Sequence, residues 1–308
     1  MQFGSVNLTC AADRDSFIEL LGTLDLRPPV VIKPNWGTSV CFVEAEILDW
    51  VLTAVDGEAL VVESYGWARS EEALKTGRLG SKKRGDLRRN DEWFLRYSGI
   101  GEVLERHGVE FLNVTEENWG HRTVDSAIIK DAVEAVHAPV EMEELYSFVP
   151  ERLYELRGGD LLSLAKVKLW LDPISVSFTL KNFFGMLPGP GRSRYHGKKH
   201  SRLDRSIVDI YKVYDSLFEV KGVVEAVLTA SVADPETMKQ CVFEDLGYAS
   251  ASKQPLELDA FATALVGRDP NEIGYLKLAA ETFGPWSGET IAQARRSGID
   301  VFSELALI

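Results

Sequence analysis

A mostly parallel, mixed α/β sheet with helices on both faces is the fold class the sequence predicts. Three observations predict it. Short β-branched runs alternate with segments of helical spacing through residues 29–137. Those runs are continuously apolar rather than alternating, as strands buried on both faces are. The chain has 308 residues, 45% of them hydrophobic, enough to bury a core without disulfide or metal staples. One domain over 1–308 is expected, with two interlocked lobes, 1–150 and 151–308, as the finer division.

The elements follow in order. PVVIKPNW (29–36) reads as a buried strand closed by Pro34, Asn35 and Trp36. VEAEILDWVLTAV (43–55) has Val43, Ile47, Val51 and Val55 at helical spacing. EALVVESY (58–65) is a strand, SGIGEVLERHG (98–108) a helix ending at Gly108, VEFLNVTE (109–116) a third strand and DSAIIKDAVEAVH (125–137) a helix. LLSLAKVKLW (161–170) and SVSFTLKN (175–182) read as two strands joined by a hairpin turn over 171–174. DRSIVDIYKVYDSLFEV (204–220) places Ile207, Ile210, Tyr214 and Leu217 on one helical face. GVVEAVLTA (222–230) is a buried strand, and ELDAFATALVG (257–267) a helix closed by Gly267. NEIGYLKLAAETFG (271–284) is a further helix, with Asn271 as its cap. Residues 66–97 and 183–203 read as long irregular stretches, which in compact domains usually carry function.

Charge narrows the function classes. The net charge of −13 argues against nucleic-acid binding. Yet residues 181–202 hold six Lys/Arg, two His and no acid, and residues 82–89 hold five Lys/Arg and one Asp. Positive islands in an acidic chain call for a counter-anion: a ligand, a cofactor or an acidic face of the same protein. The cysteines, Cys10, Cys41 and Cys241, are far apart and form no CxxC pair, which argues against structural zinc and against a ferredoxin-type cluster. The N-terminal segment shows no basic start followed by an apolar core, and no run of about 18 apolar residues occurs. A reduced, cytoplasmic protein without a membrane span is expected.

Polar residues gather at the expected C-terminal ends of strands, where open α/β sheets bind ligands. Lys33 and Asn35 end the first, Glu63 the second, Lys166 and Lys168 the fourth, Lys181 and Asn182 the fifth. Lys166 and Lys168 fall on one strand face, so an anion or a carboxylate is expected between them. Lys181 is bracketed by apolar residues and is expected to be desolvated. A desolvated lysine near other cations has a lowered pKa, which suits a general base or a Schiff base; the alternative is a buried salt bridge with Glu63, Glu225 or Asp259. GMLPGPG (185–191) and RSRYHGKKHSR (192–202) read as a hinge carrying a basic lid, with Arg192, Arg194, His196 and His200 on it. Trp36, Trp67, Trp93 and Trp170 lie near the expected cleft, as lining or as packing.

These residues carry a resemblance. VIKPNW (31–36), VVES (61–64), LAKVKLW (164–170), FTLKNFFG (178–185), a His at 196 or 200, IVDI (207–210), ELDAFATALVG (257–267) and DPNEIGYLKLAAE (269–281) are similar, in order, to the family catalogued as domain of unknown function 362. The resemblance spans 29–284 and implies fold and site location, not a reaction. The chain departs from it in three ways. Trp170 stands where a Lys-x-Lys-x-His element has its His, Glu225 stands where an Asp is common, and the cysteines of an added cluster domain are missing.

The expected function is an enzyme acting by proton transfer, isomerase- or lyase-like, on a small carboxylate- or phosphate-bearing molecule. Lys33, Asn35, Lys166, Lys168, Asn182, Arg192, Arg194 and Asp259 would bind substrate; Lys181, His196, His200 and Glu63 would carry the chemistry. The sequence identifies no cofactor, and no metal is assigned. Two alternatives stand beside this reading: an oxidoreductase or metal-linked protein using His196 and His200, and a non-catalytic module docking an acidic partner. Oligomeric state, a homo-oligomer included, is left open.

Overall fold

The computed structural model describes residues 1–297 except Ala11, Asp56, 172–173, 190–191 and Met238. Among the described residues twelve strands form two sheets: β1 (Gln2–Phe3), β2 (Val6–Cys10), β3 (Val30–Pro34), β4 (Ala59–Glu63), β5 (Glu110–Asn113), β6 (Asp160–Lys166), β7 (Lys168–Trp170), β8 (Val176–Ser177), β9 (Glu219–Ala226), β10 (Thr229–Ala233), β11 (Gln240–Glu244) and β12 (Tyr248–Ser252). The large sheet has the order β1-β2-β12-β9-β6-β3-β4-β5. Its run from β9 to β5 is parallel, while β12, β2 and β1 complete it antiparallel.

Alternate residues of the parallel strands enter two separate cores. Val31, Leu161 and Leu60 pack into one, and Val30, Ile32, Leu162 and Val61 into the other. With helices over both faces, β3 and β6 are buried throughout and β4 at all but its first position, which is why these strands read as unbroken apolar runs. Among the described residues no helix is long and apolar enough to cross a membrane.

The chain order reverses between β3 and β6: β4 and β5 extend to one side of β3, whereas β6 and β9 lie on the other. Such a reversal opens a crevice beyond the carboxyl ends of the two strands. Here the main sheet also ends and the small one begins. β6 gives way to β7 at Val167, and β9 to β10 after Ala226, so β7 and β10 pair in parallel in a second sheet of order β11-β10-β7-β8. Val167 stitches the junction, its N–H donating to the Glu225 carbonyl at 2.7 Å and its carbonyl accepting from Ser231 at 3.2 Å.

Several expected elements differ. The strand over 161–170 is two strands in two sheets, so Lys166 and Lys168 do not share one strand face. Of 175–182 only β8 is strand; Thr179–Asn182 is a helical turn, so Lys181 and Asn182 are not at a strand end. The 168–177 pairing is an antiparallel hairpin, with 172–173 of its turn outside the described residues. The strand over 109–116 is shorter, because Asn113 caps a helix from Val114 to Trp119. The 222–230 strand is the two strands β9 and β10. The stretch 66–97 contains helices Glu71–Thr76 and Arg84–Tyr97. Asn271 does not cap the helix Gly274–Phe283; its own backbone N–H is held by Asp269 in a short preceding turn.

Candidate functional site

Beyond the ends of β3, β4 and β6 lies a buried polar layer. The Lys33 ammonium, at 0% exposure, donates to Glu63 Oε1 at 2.7 Å, to the Pro34 carbonyl at 2.7 Å and to Asn182 Oδ1 at 3.3 Å. All three of its protons are therefore placed. Burial pushes the Lys33 pKa down, opposed by the Glu63 charge. Burial would raise Glu63, but Lys33, Arg69 and Arg192 outweigh it and hold the carboxyl below its ordinary value. Glu63 is thus a carboxylate at neutral pH. Asn182 joins the two strands across the crevice: its Nδ2 donates to the Lys33 carbonyl at 2.7 Å and to Ser163 Oγ at 3.2 Å. Arg69, also buried, donates to the carbonyls of Trp36 and Ser64 and pairs with Asp91, fixing the turn after β4 from behind. Nothing local in the sequence marked Arg69 for this.

Gly185 closes over this layer. A Cβ there would lie 2.6 Å from Lys33 Nζ and 2.7 Å from Glu63 Oε1. Gly185→Ala is accordingly expected to displace the ion pair and to destabilise by about 1–3 kcal/mol. Urea unfolding checks this, and an unchanged midpoint would show that the pair moves aside freely.

Above the layer sits a cavity of about 460 Å³. Asn35, Glu63, Lys168, Lys181, Asn182, Arg192, His196 and His200 line it, bringing together residues from positions 35 to 200. Its walls are aromatic and apolar: Tyr65, Trp67, Trp170, Ile174 and Phe184. Trp67 and Trp170 were expected near the cleft, and they line it. Trp36 belongs instead to the core, and Trp93 stacks on Tyr97. Tyr65 and Phe184 were not expected, although each lies within a segment, VVESY or TLKNFFG, whose polar members were.

Four residues expected at the site do other work. Lys33 lies in the layer below. Lys166, fully buried, pairs with Glu225 at 2.8 Å and Glu44 at 2.5 Å; the two carboxylates outweigh burial and raise its pKa. Arg194 reaches Glu144 at 3.1 Å and the Tyr195 hydroxyl. Asp259 accepts from the backbone N–H of Thr179 at 2.8 Å and of Leu180 at 3.0 Å, and from the Thr179 hydroxyl. It caps from outside the helical turn that carries Lys181 and Asn182. Burial, opposed by these hydrogen bonds, raises its pKa to about 7.

Lys168 and Lys181 are different. Lys168, at 3% exposure, donates to two neutral acceptors, Asn35 Oδ1 at 3.4 Å and the Cys41 carbonyl at 3.0 Å. Burial lowers its pKa. Lys181, at 9% exposure, lies over the Trp170 ring at 5.0 Å. The three carboxylates considered as its salt-bridge partners are engaged elsewhere: Glu63 by Lys33, Glu225 by Lys166, and Asp259 as the cap. Burial, and next the charge of Lys168, lower the Lys181 pKa to about 7. Among the described residues neither lysine has a carboxylate within 4 Å.

The two histidines meet, His196 Nδ1 lying 3.0 Å from His200 Nδ1, and the His196 ring stands edge-on to Phe184. Burial, then the charges of Lys181 and His200, push His196 down to about 4, so it is neutral at pH 7. Arg192 donates to the Leu187 carbonyl at 3.0 Å, tying down the start of the basic stretch; Pro190 and Gly191 of the expected hinge lie outside the described residues. The other basic island is engaged within the protein. Arg88 forks onto Glu116, Arg89 meets Asp86, and Arg84 and Lys82 lie over the rings of Trp119 and Trp67.

Residues 161–264 match the family model described as Domain of unknown function (DUF362), so the resemblance read from the residues holds over that segment. The segment supplies Lys166, Lys168, Lys181, Asn182 and the basic stretch; Lys33, Asn35 and Glu63 lie outside it. Neither the curated proteins nor the solved structures compared with the chain match it.

Proposed function

We propose that the cavity binds a small organic anion, carboxylate- or phosphate-bearing, and that the protein is an isomerase- or lyase-like enzyme that moves a proton on it. One contrast carries the reading. Four buried lysines stand near the crevice. Lys33 and Lys166, which do not line the cavity, each have a carboxylate partner. Lys168 and Lys181, which line it, have none among the described residues. Burying an unpaired ammonium costs several kcal/mol, and a ligand anion is the counter-charge that would offset it.

Roles follow from position. Lys168 and Arg192 hold the anion, with Asn35 fixing the Lys168 ammonium. Lys181, poised near neutrality, exchanges the proton, and neutral His196 in the same cavity receives or returns it. Asn182 and Glu63 hold the strand ends in place. The aromatic walls favour an anion with an apolar body. A cytoplasmic setting goes with this reading, since Cys10, Cys41 and Cys241 are all free thiols.

The test is calorimetric titration with two probes, 3-phenylpropionate and inorganic phosphate. At least one is expected to bind saturably, and Lys168→Met to weaken that binding by about ten-fold or more, or ~1.4 kcal/mol. Equal affinity in wild type and variant, or no binding of either probe, would remove the cavity from the scheme.

A further inference from the structure

We propose that Lys181 is a covalent nucleophile that forms a Schiff base with the carbonyl of a 2-oxo acid whose apolar side chain lies against the aromatic wall of the cavity. This rests on the anion-binding reading and narrows its ligand to carboxylates with an adjacent carbonyl.

The geometry separates the two unpaired lysines. Lys168 is held by two carbonyl-type acceptors, which suit an ammonium donor. Lys181 has no hydrogen-bond acceptor among the described residues; its Nζ lies over the Trp170 ring. An ammonium in that position has the Trp170 ring face but neither counter-ion nor hydrogen-bond acceptor, whereas a neutral amine keeps its lone pair free. The surrounding groups act mostly in the same sense. Lys168 presses on Lys181 with like charge, and the more distant Asp204 opposes it. His196, which shares the cavity, stays neutral. An amine brought to about 7 by burial and a neighbouring cation is available uncharged near neutral pH, the state from which carbonyl addition starts. The cations that would dock a carboxylate, Lys168 and Arg192, line the same cavity. The amine beside them is therefore directed at the carbon next to the carboxylate.

The chemistry balances without another reactant. The Nζ lone pair adds to the carbonyl carbon and forms the C–N bond. Both amine hydrogens leave with the carbonyl oxygen as water, and the remaining C=N bond takes up one proton as an iminium. The iminium draws electrons from the adjacent C–H bond, so that proton passes to a base in the cavity, His196 being the neutral imidazole there, and returns. One water then hydrolyses the C=N bond and restores the carbonyl and the free amine.

Borohydride trapping tests this on the full chain. Protein is incubated with phenylpyruvate, reduced with sodium borohydride, and read by intact mass and peptide mapping. One reduced adduct per chain, mapped to Lys181, suppressed by excess 3-phenylpropionate and missing from a folded Lys181→Arg variant, is the expected result. An adduct spread over surface lysines, or confined to another lysine, overturns the proposal. If no adduct forms while 3-phenylpropionate or inorganic phosphate still binds, the Schiff base is wrong and the anion reading survives; if no adduct forms and neither probe binds, both fall.

Discussion

Glu63→Gln is expected to cost about 3–5 kcal/mol, because it leaves a fully buried ammonium without its counter-charge. Lys33 is 0% exposed, and Glu63 is its one carboxylate partner among the described residues. The amide oxygen of Gln can accept one hydrogen bond from Lys33, but it supplies no charge. The penalty should depend on pH. Burial already lowers the Lys33 pKa, and without the Glu63 charge it falls further. A lysine depressed in the folded state binds fewer protons folded than unfolded. Stability of the variant therefore recovers as pH rises toward the unfolded lysine value of about 10.4. Urea unfolding at about pH 7 and about pH 9.5 measures both effects. A second variant separates charge from shape: Lys33→Met with Glu63→Leu removes both partners and should regain most of the loss. A single variant losing under about 1 kcal/mol, with no pH dependence, would mean that Lys33 is solvated after all.

The parallel sheet was legible because its strands are locally self-declaring. A run such as Val30-Val31-Ile32 is buried on both faces and needs no distant information to be recognised. What was not legible depends on partners far along the chain. SVSFTLKN alternates apolar and polar residues like a strand, yet Thr179–Asn182 is helical because Asp259, 80 residues away, caps its first N–H groups. The break at Val167 was hidden for a similar reason: it is imposed by β9 and β10, which break beside it. The amino-terminal β2 went unread because its partner β12 lies some 240 residues on, and β1 is held in the sheet through β2. The helix Arg14–Gly22 was missed despite a local signal, the reciprocal Asp13 and Ser16 cap.

At the site, residue types and the crevice were readable, and their division of labour was not. Four lysines looked alike in sequence. Glu63, Glu225 and Asp259 were weighed as partners of Lys181, and each is engaged elsewhere. Which acid meets which base is decided by β3, β4, β6 and β9 lying side by side, a tertiary fact with no local signature.

Lys181→Met, by contrast, is expected to make the protein more stable while ending its chemistry. Lys181 sits at about 7 in the folded chain against an ordinary lysine value of 10.5. Above about pH 10.5 the amine is neutral in both states and burial costs it little. Between the two values the unfolded chain binds more protons, so unfolding free energy rises with pH; below about pH 7 the full penalty applies. Methionine has no such penalty and similar volume. The variant should therefore exceed wild type by about 2–4 kcal/mol at pH 6, with the gain shrinking toward pH 10. Urea midpoints across that range provide the measurement. The sign is what discriminates. Removing a structural lysine held by a hidden carboxylate would destabilise, and the loss would persist as pH rises. A gain that fades with pH, together with loss of borohydride trapping, marks a residue kept at a cost in stability for its reactivity.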